Sequence, residues 1–210
     1  ENCLGCCVTI PHKNIAYDLI DEPMPRAQRI GAINIIKREK SGKLLGDMTD
    51  GIGCINALKL NGFSVTGKKI GLIGGGGAGS AIADAIGEHR AAQLSLVEID
   101  KLKSDTLLLK LQKQYPALTL ENNISRPEEI DIVINASPSG MNKNDLLPID
   151  PYTFRSGIVI ADSVTKPNFT PFLKSAKSNG CFIQKGSEMA DAQLPIFLDF
   201  LGTPPENSHV

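Results

Sequence analysis

Apolar and polar positions alternate in short blocks along the first third of the chain. Residues 6–10 form a mostly apolar run that stops at Pro11 and predicts a strand. A helical stretch is expected from about Asn14, broken by Asp21, Glu22, Pro23 and Pro25, because proline lacks the N–H that an interior helical turn uses. Residues 32–37 and 43–47 flank Glu39-Lys40-Ser41-Gly42, which predicts a hairpin with glycine at its turn and a solvated basic tip. A helix over about 53–61 follows, closed by Gly62.

From Gly67 the texture changes. Short apolar runs at 69–73, 94–98, 130–135, 157–161 and 181–184 predict strands, and the stretches 78–88 and about 100–114 predict helices. Strands that alternate with helices at this pitch form a parallel sheet covered by helices, so the class is α/β. The spacing sets a boundary at about 64–68. A polar tail, 204–210, is expected to be mobile.

Composition narrows the partner. The 22 basic and 23 acidic side chains leave a formal charge of −1, which argues against nucleic acid or an anionic membrane as the main partner. No run reaches the roughly 18 to 20 apolar residues of a membrane span, and residues 1–9 lack a secretory pattern. A cytoplasmic protein handling a small molecule is expected, as monomer or homodimer. The five cysteines are an odd number in a chain with an ample apolar core, so reduced thiols are expected. Cys3, Cys6 and Cys7, with His12 nearby, have metal-like spacing, but no second ligand pair follows, and no metal is expected. The three are expected to pack as small apolar side chains beside a strand, and Cys54 and Cys181 to lie in the core. His89 is expected at a helix C-terminus.

Gly74-Gly75-Gly76-Gly77-Ala78-Gly79 fits G-x-G-x-x-G between an apolar strand and a helix. In that setting Gly74 permits a tight turn, Gly76 admits a pyrophosphate to the backbone, and Gly79 lets the helix pack on the sheet, with Gly77 and Ala78 at the phosphate-facing helix start. An acid about 20 residues on completes the fingerprint by accepting the ribose hydroxyls. Glu98 lies 19 residues after Gly79, and Asp100 two further. Either repels a ribose phosphate, and no arginine follows, so NAD is favoured over NADP, with Lys101 and Lys103 as the opposing feature.

Five further stretches extend the pattern: Val8-Thr9-Ile10-Pro11-His12-Lys13, Gly31-Ala32-Ile33-Asn34, Gly46-Asp47-Met48-Thr49-Asp50-Gly51, Asn135-Ala136-Ser137-Pro138-Ser139-Gly140-Met141, and Gly186-Ser187-Glu188-Met189-Ala190-Asp191-Ala192-Gln193. With the glycine loop, their order and spacing resemble the shikimate/quinate dehydrogenase family over nearly the whole chain. The resemblance implies a Rossmann-type doubly wound sheet plus an α/β substrate domain, N-terminally incomplete here. It divides the chain into a substrate domain (1–65), a nucleotide domain (66–188) and a C-terminal helix returning to the substrate domain (189–210). The implied activity is hydride transfer between NAD or NADP and a ring acid of the shikimate or quinate type.

The family's catalytic pair falls on Lys13 and Asp50. Thr9, Asn34, Thr165 and Gln193 fall on substrate contacts, while Ala136, Ser137, Val164, Gly186 and Met189 fall on the cofactor side. The chemistry agrees: oxidising a ring alcohol needs a base beside the hydroxyl while hydride leaves, and a lysine held by an aspartate meets that need. Several positions depart from the family pattern. A leading Ser-x-Ser segment for the substrate carboxylate is absent, which suggests a trimmed chain. Thr165 stands where tyrosine is usual, Met48 where asparagine is, and Glu98-Ile99-Asp100 where Asn-Arg-Thr holds an NADP phosphate. Two alternatives stay open: a nucleotide-binding module without turnover, and a member acting on an amino-substituted or other cyclic polyhydroxy acid.

Overall fold

The structure, a computed structural model, describes residues 3–202; the expected mobile tail lies outside the described residues. The chain opens with β1 (Gly5–Cys7), α1 (Lys13–Tyr17), β2 (Glu22–Pro23) and α2 (Pro25–Ile30). The hairpin of β3 (Ile35–Arg38) and β4 (Leu44–Asp47) forms as expected, antiparallel. Strands β1 and β2 flank it, giving a four-stranded sheet in the order β1-β3-β4-β2.

Three local expectations change here. The first strand ends at Cys7, not Ile10, because the chain turns before α1, where the His12 N–H donates to the Thr9 carbonyl at 2.9 Å. Pro23 and Pro25 do not leave an irregular break. Pro23 sits on the edge strand β2, and Pro25 occupies the first turn of α2, where its missing N–H would have had no helical acceptor. Cys3, Cys6 and Cys7 are exposed rather than packed, whereas Cys54 and Cys181 are buried.

Next comes α3 (Asp50–Leu60), which starts three residues before its expected start. Gly51 and Gly53 lower its intrinsic propensity, but both are needed for close packing. A Cβ on Gly51 would stand 2.1 Å from the Ala81 carbonyl oxygen on the neighbouring helix, and one on Gly53 2.3 Å from Gln193 Cγ.

The remaining elements are β5 (Lys69–Ile73), α4 (Gly77–Glu88), β6 (Gln93–Val97), α5 (Lys101–Gln114), β7 (Thr119–Asn122), β8 (Ile132–Asn135), β9 (Val159–Asp162), α6 (Pro171–Ser178), β10 (Phe182–Gln184) and α7 (Gly186–Leu201). The helix expected from 189 thus begins at Gly186. The six strands are all parallel, in the order β10-β9-β8-β5-β6-β7. This is the doubly wound arrangement, with its switch point between β5 and β8, where such sheets bind ligands at the strands' carboxyl ends. Alternating strand residues feed two cores. Leu72, Leu94 and Ile134 join Ile55, Leu58 and Ile82 on one face; Ile73, Val133 and Ile160 join Phe172 and Leu173 on the other. A third cluster of Ala27, Ala32, Ile33, Met48 and Ala81 seals the first sheet's helix α2 against α4. No helix among the described residues is long and apolar enough to cross a membrane.

The α3–α4 contact joins the two sheets through backbone rather than long side chains. Gly51→Ala, which must push α3 off α4, is expected to cost about 1–3 kcal/mol, read as a lower urea midpoint at unchanged slope.

Candidate active site

The first residues of two helices converge. Lys13 opens α1 and Asp50 opens α3, 8% and 5% exposed respectively, and Lys13 Nζ forms an ion pair and hydrogen bond with Asp50 Oδ2. The other carboxylate oxygen, Oδ1, accepts from Asn34 Nδ2 at 2.8 Å and from Gln193 Nε2 at 3.0 Å. A carboxylate in the first turn of a helix is also favoured by the helix dipole. Asn34 is itself fixed: Thr49 N–H donates to its Oδ1 at 2.9 Å, and its own N–H donates to the Asp47 carbonyl at 2.9 Å. Asp47 in turn receives both arms of Arg26, at 2.8 and 2.6 Å.

Four of the residues singled out from sequence are therefore brought together: Lys13, Asn34, Asp50 and Gln193. Two others are not part of this cluster. Thr9 is exposed on the turn before α1, and Thr165 is exposed on the loop after β9. The cluster holds one ammonium against one carboxylate in a nearly dry setting, with every Asp50 oxygen partnered, which is what lets a buried ion pair persist. Its chemical capacity is to hold a proton at Lys13 Nζ at a defined place.

That place adjoins the glycine loop. A Cβ on Gly77 would lie 3.5 Å from Lys13 Cδ. In the loop Gly74 takes φ +96°, a conformation L side chains rarely adopt. A Cβ on Gly79 would meet the Gly74 carbonyl oxygen at 2.0 Å, whereas one on Gly76 would meet nothing within 4 Å. Open space thus faces Gly76 and the start of α4, whose first N–H groups have no acceptor within the helix. A cavity of about 780 Å³ opens there, bordered by Gly75–Gly77, Ser80 and Lys103, with Asn14 and Arg29 on the facing helices. The cradle fits a dinucleotide pyrophosphate.

The two candidate ribose acids separate. Glu98 reaches the loop, with Oε2 accepting from Gly75 N–H at 2.6 Å and Oε1 from Asp100 N–H at 2.9 Å. Asp100 caps α5 instead, accepting from the Leu102 and Lys103 N–H groups at 3.1 and 3.2 Å. On the other side of the switch point, Ala136 and Ser137 follow β8 and lie against Gly74, whose Cβ would stand 2.9 Å from Ser137 N. Val164 follows β9, and a Cβ on Gly186 would meet its carbonyl oxygen at 2.3 Å. Met189 is buried one helical turn further along α7.

Sequence reasoning missed several polar groups. Arg29 donates to Asp84 at 2.7 Å, and the Tyr115 hydroxyl donates to the same carboxylate at 2.8 Å. This cluster ties α2 to α4 and to the end of α5. Burial, with Asp84 beside it, pushes the Tyr115 hydroxyl above its ordinary pKa, and the hydrogen bond to Asp84 raises that of Arg29. The available signal was a lone acid inside the apolar run Ala81-Ile82-Ala83-Asp84-Ala85-Ile86. Asn135 and Asp162, polar residues that end two apolar strands, gave a similar signal. His89 does cap α4, its ring Nδ1 lying 2.9 Å from the Ala85 carbonyl oxygen.

Comparison with known proteins accords with this geometry. The model of the shikimate dehydrogenase substrate binding domain matches residues 1–36. A shikimate dehydrogenase (NADP(+)) of Bacillus cereus (strain AH187) is 33% identical over 189 residues, covering 88% of this chain and 68% of its own length. Among solved structures, 5-ketofructose reductase of Gluconobacter sp. strain CHM43 is 32% identical with a TM-score of 0.84, covering 94% of this chain and 73% of its own. The shikimate 5-dehydrogenase from Listeria monocytogenes, in complex with shikimate and NAD, is 26% identical with a TM-score of 0.83, covering 96% and 73%. The chain spans about two thirds of the length of the curated relatives it matches, 64% and 68% for two of them. With 33% identity over 189 residues to a relative of which it covers 68%, and with the same fold, the chain belongs to the shikimate dehydrogenase family.

Proposed function

We propose that this chain is an NAD(P)-dependent oxidoreductase that interconverts a ring alcohol and ketone on a cyclic polyhydroxy carboxylate of the shikimate type. The observation that carries the reading is the placement of Lys13, held by Asp50, against Gly77 of the glycine loop. When bound, the nicotinamide cofactor supplies or accepts the hydride. In the reductive direction Lys13 Nζ delivers a proton to the oxygen as the carbonyl carbon gains hydride, and in the oxidative direction it takes that proton back. Asp50 fixes Nζ against the charge change. Gln193, which donates one hydrogen to Asp50, keeps its Oε1 for a ring hydroxyl. Asn34, whose amide is committed to Asp50 and Thr49, would have to exchange one of those bonds to reach one, and we assign the substrate carboxylate to the exposed Thr9 and Thr165. We assign residues 1–65 to the substrate domain, 66–188 to the nucleotide domain and 189–210 to the segment returning to the substrate domain. Gln193 in contact with Asp50 supports the last assignment.

For the cofactor we propose NAD ahead of NADP. Glu98 is fixed on the loop by two backbone N–H groups, where it accepts ribose hydroxyls and repels a phosphate, although the curated relatives are named for NADP(+). The substrate is shikimate, or quinate or another cyclic polyhydroxy acid, an amino-substituted ring included. Ala136, Ser137, Val164, Gly186 and Met189 line the cofactor side.

Reduced-cofactor absorbance, followed with NAD or NADP against shikimate, quinate and ring analogues, tests this reading. Lys13→Gln and Asp50→Asn are each expected to lower kcat by about 10²–10⁴-fold while the dissociation constant for cofactor, measured by calorimetry, stays within about threefold of the parent. Saturable cofactor binding with no turnover on any ring acid would instead favour a non-catalytic nucleotide-binding module. Glu98→Gln, which keeps an acceptor but removes the charge, is expected to move the NAD/NADP ratio of kcat/KM toward NADP by about tenfold or more; an unchanged ratio would show that Glu98 does not choose the cofactor.

A further inference from the structure

Asp162 is the last residue of β9 and is 1% exposed. Among the described residues no basic side chain forms an ion pair with it, and burial pushes its carboxyl pKa up against the hydrogen bonds that pull it down. A buried acid without a cation is a costly placement, and its hydrogen bonds indicate what it serves. Oδ1 accepts from Asn135 Nδ2 at 3.0 Å and from Val164 N–H at 3.0 Å; Oδ2 accepts from Thr170 Oγ1 at 2.6 Å. Asn135, opposite it at the end of β8, passes the network on. Its Nδ2 also donates to the Ser139 carbonyl at 3.1 Å, and its Oδ1 accepts from Ser137 N–H at 3.0 Å and Ser137 Oγ at 2.6 Å. Thr170, besides holding Asp162, caps α6 by accepting from Leu173 N–H at 3.2 Å.

One carboxylate thus links the loop after β8, the loop after β9 and the start of α6. The packing of Gly186 on the Val164 carbonyl brings the start of α7 against the same loop. We infer that Asp162 is a positioning residue for the cofactor side of the site, acting through Asn135 and the Val164 N–H to set the loops that carry Ser137 and Val164 relative to each other. The inference rests on the reading that those loops line the cofactor. It differs from a local role in β9 because it requires a change at Asp162 to be felt at residues 136–139, on another strand's loop.

The test pairs two readouts on the full chain. Hydrogen exchange without cofactor is followed in peptides covering 135–140 and 162–170, and NAD affinity is measured by calorimetry. Asp162→Ala removes both acceptor oxygens and is expected to speed exchange in both peptides and to raise the NAD dissociation constant, each by about tenfold or more. Asp162→Asn retains the oxygen used by Asn135 and Val164 and is expected to restore both to within about threefold. If Asp162→Ala does not fold, Thr170→Val, which removes one donor to the carboxylate, is expected to loosen both peptides in the same direction to a smaller degree. Loosening confined to 162–170 in the variant that is measured, or unchanged NAD affinity when both loops loosen, would overturn the inference. A parent chain that binds neither NAD nor NADP would count against the cofactor reading, and the exchange in 135–140 would then decide the coupling by itself.

Discussion

A carboxylate removed from water must find donors for its lone pairs, and Asp50 takes them from three separate segments: Lys13 at the start of α1, Asn34 before β3 and Gln193 in α7. Because both charges of the Lys13–Asp50 pair are nearly dry, losing one partner leaves the other uncompensated, a penalty on the order of 3–5 kcal/mol. The same bonds that make the site therefore hold α1, the segment before β3, α3 and α7 in register. A well-packed apolar pair would satisfy folding at least as well. What an ionic pair adds is a proton held at a fixed point.

That point matters only in relation to the glycine loop, and α4 sets the relation. Its first residue, Gly77, lies against the Lys13 stem; one turn on, Ala81 packs under Gly51; and Asp84 gathers Arg29 and Tyr115. One helix thus presents its N-terminus to the cavity at the glycine loop and its small-residue face to α1 and α3. Small side chains at these positions bring backbones close, so the geometry between proton holder and cradle depends little on flexible side chains. A larger residue at Gly51 would move Asp50 and the loop apart together, coupling a packing change to the chemistry.

The strands β5, β6, β8 and β9 were legible as apolar runs because buried parallel strands are apolar on both faces. Of the two edge strands, β10 still carries the apolar pair Phe182-Ile183 and could be read, whereas β7, Thr119-Leu120-Glu121-Asn122, carries the polar residues that suit an edge and could not,. The start of α3 was hidden by Gly51 and Gly53, whose poor helix propensity is overridden by packing that local sequence does not display. At the site, Lys13, Asn34, Asp50 and Gln193 were readable through motif order, yet their meeting at one carboxylate is a tertiary fact. Asp84 and Asp162 are single acids in apolar runs. Sequence marks such residues as unusual, but their partners, Arg29 and Tyr115 for one and Asn135 and Thr170 for the other, lie 8 to 55 positions away.

Glu98 and Asp100 show how a one-methylene difference assigns a role. Both fall at the spacing of a ribose-binding acid, and spacing alone does not separate them. A helix beginning at Lys101 needs an acceptor for its first N–H groups, and the short aspartate side chain at the position before it reaches the Leu102 and Lys103 amides,. The longer glutamate, at the end of β6, reaches across to Gly75. Capping thus withdraws Asp100 from the loop, and Lys103, 3.6 Å from Asp100, has an acid partner of its own. Of the two acids, Glu98 is the one left on the loop, anchored through backbone donors, while Arg29, Lys103 and Lys110 bring positive charge to the adjoining cavity. A ribose phosphate beside Glu98 would meet its repulsion, which is the physical ground of the NAD preference proposed above.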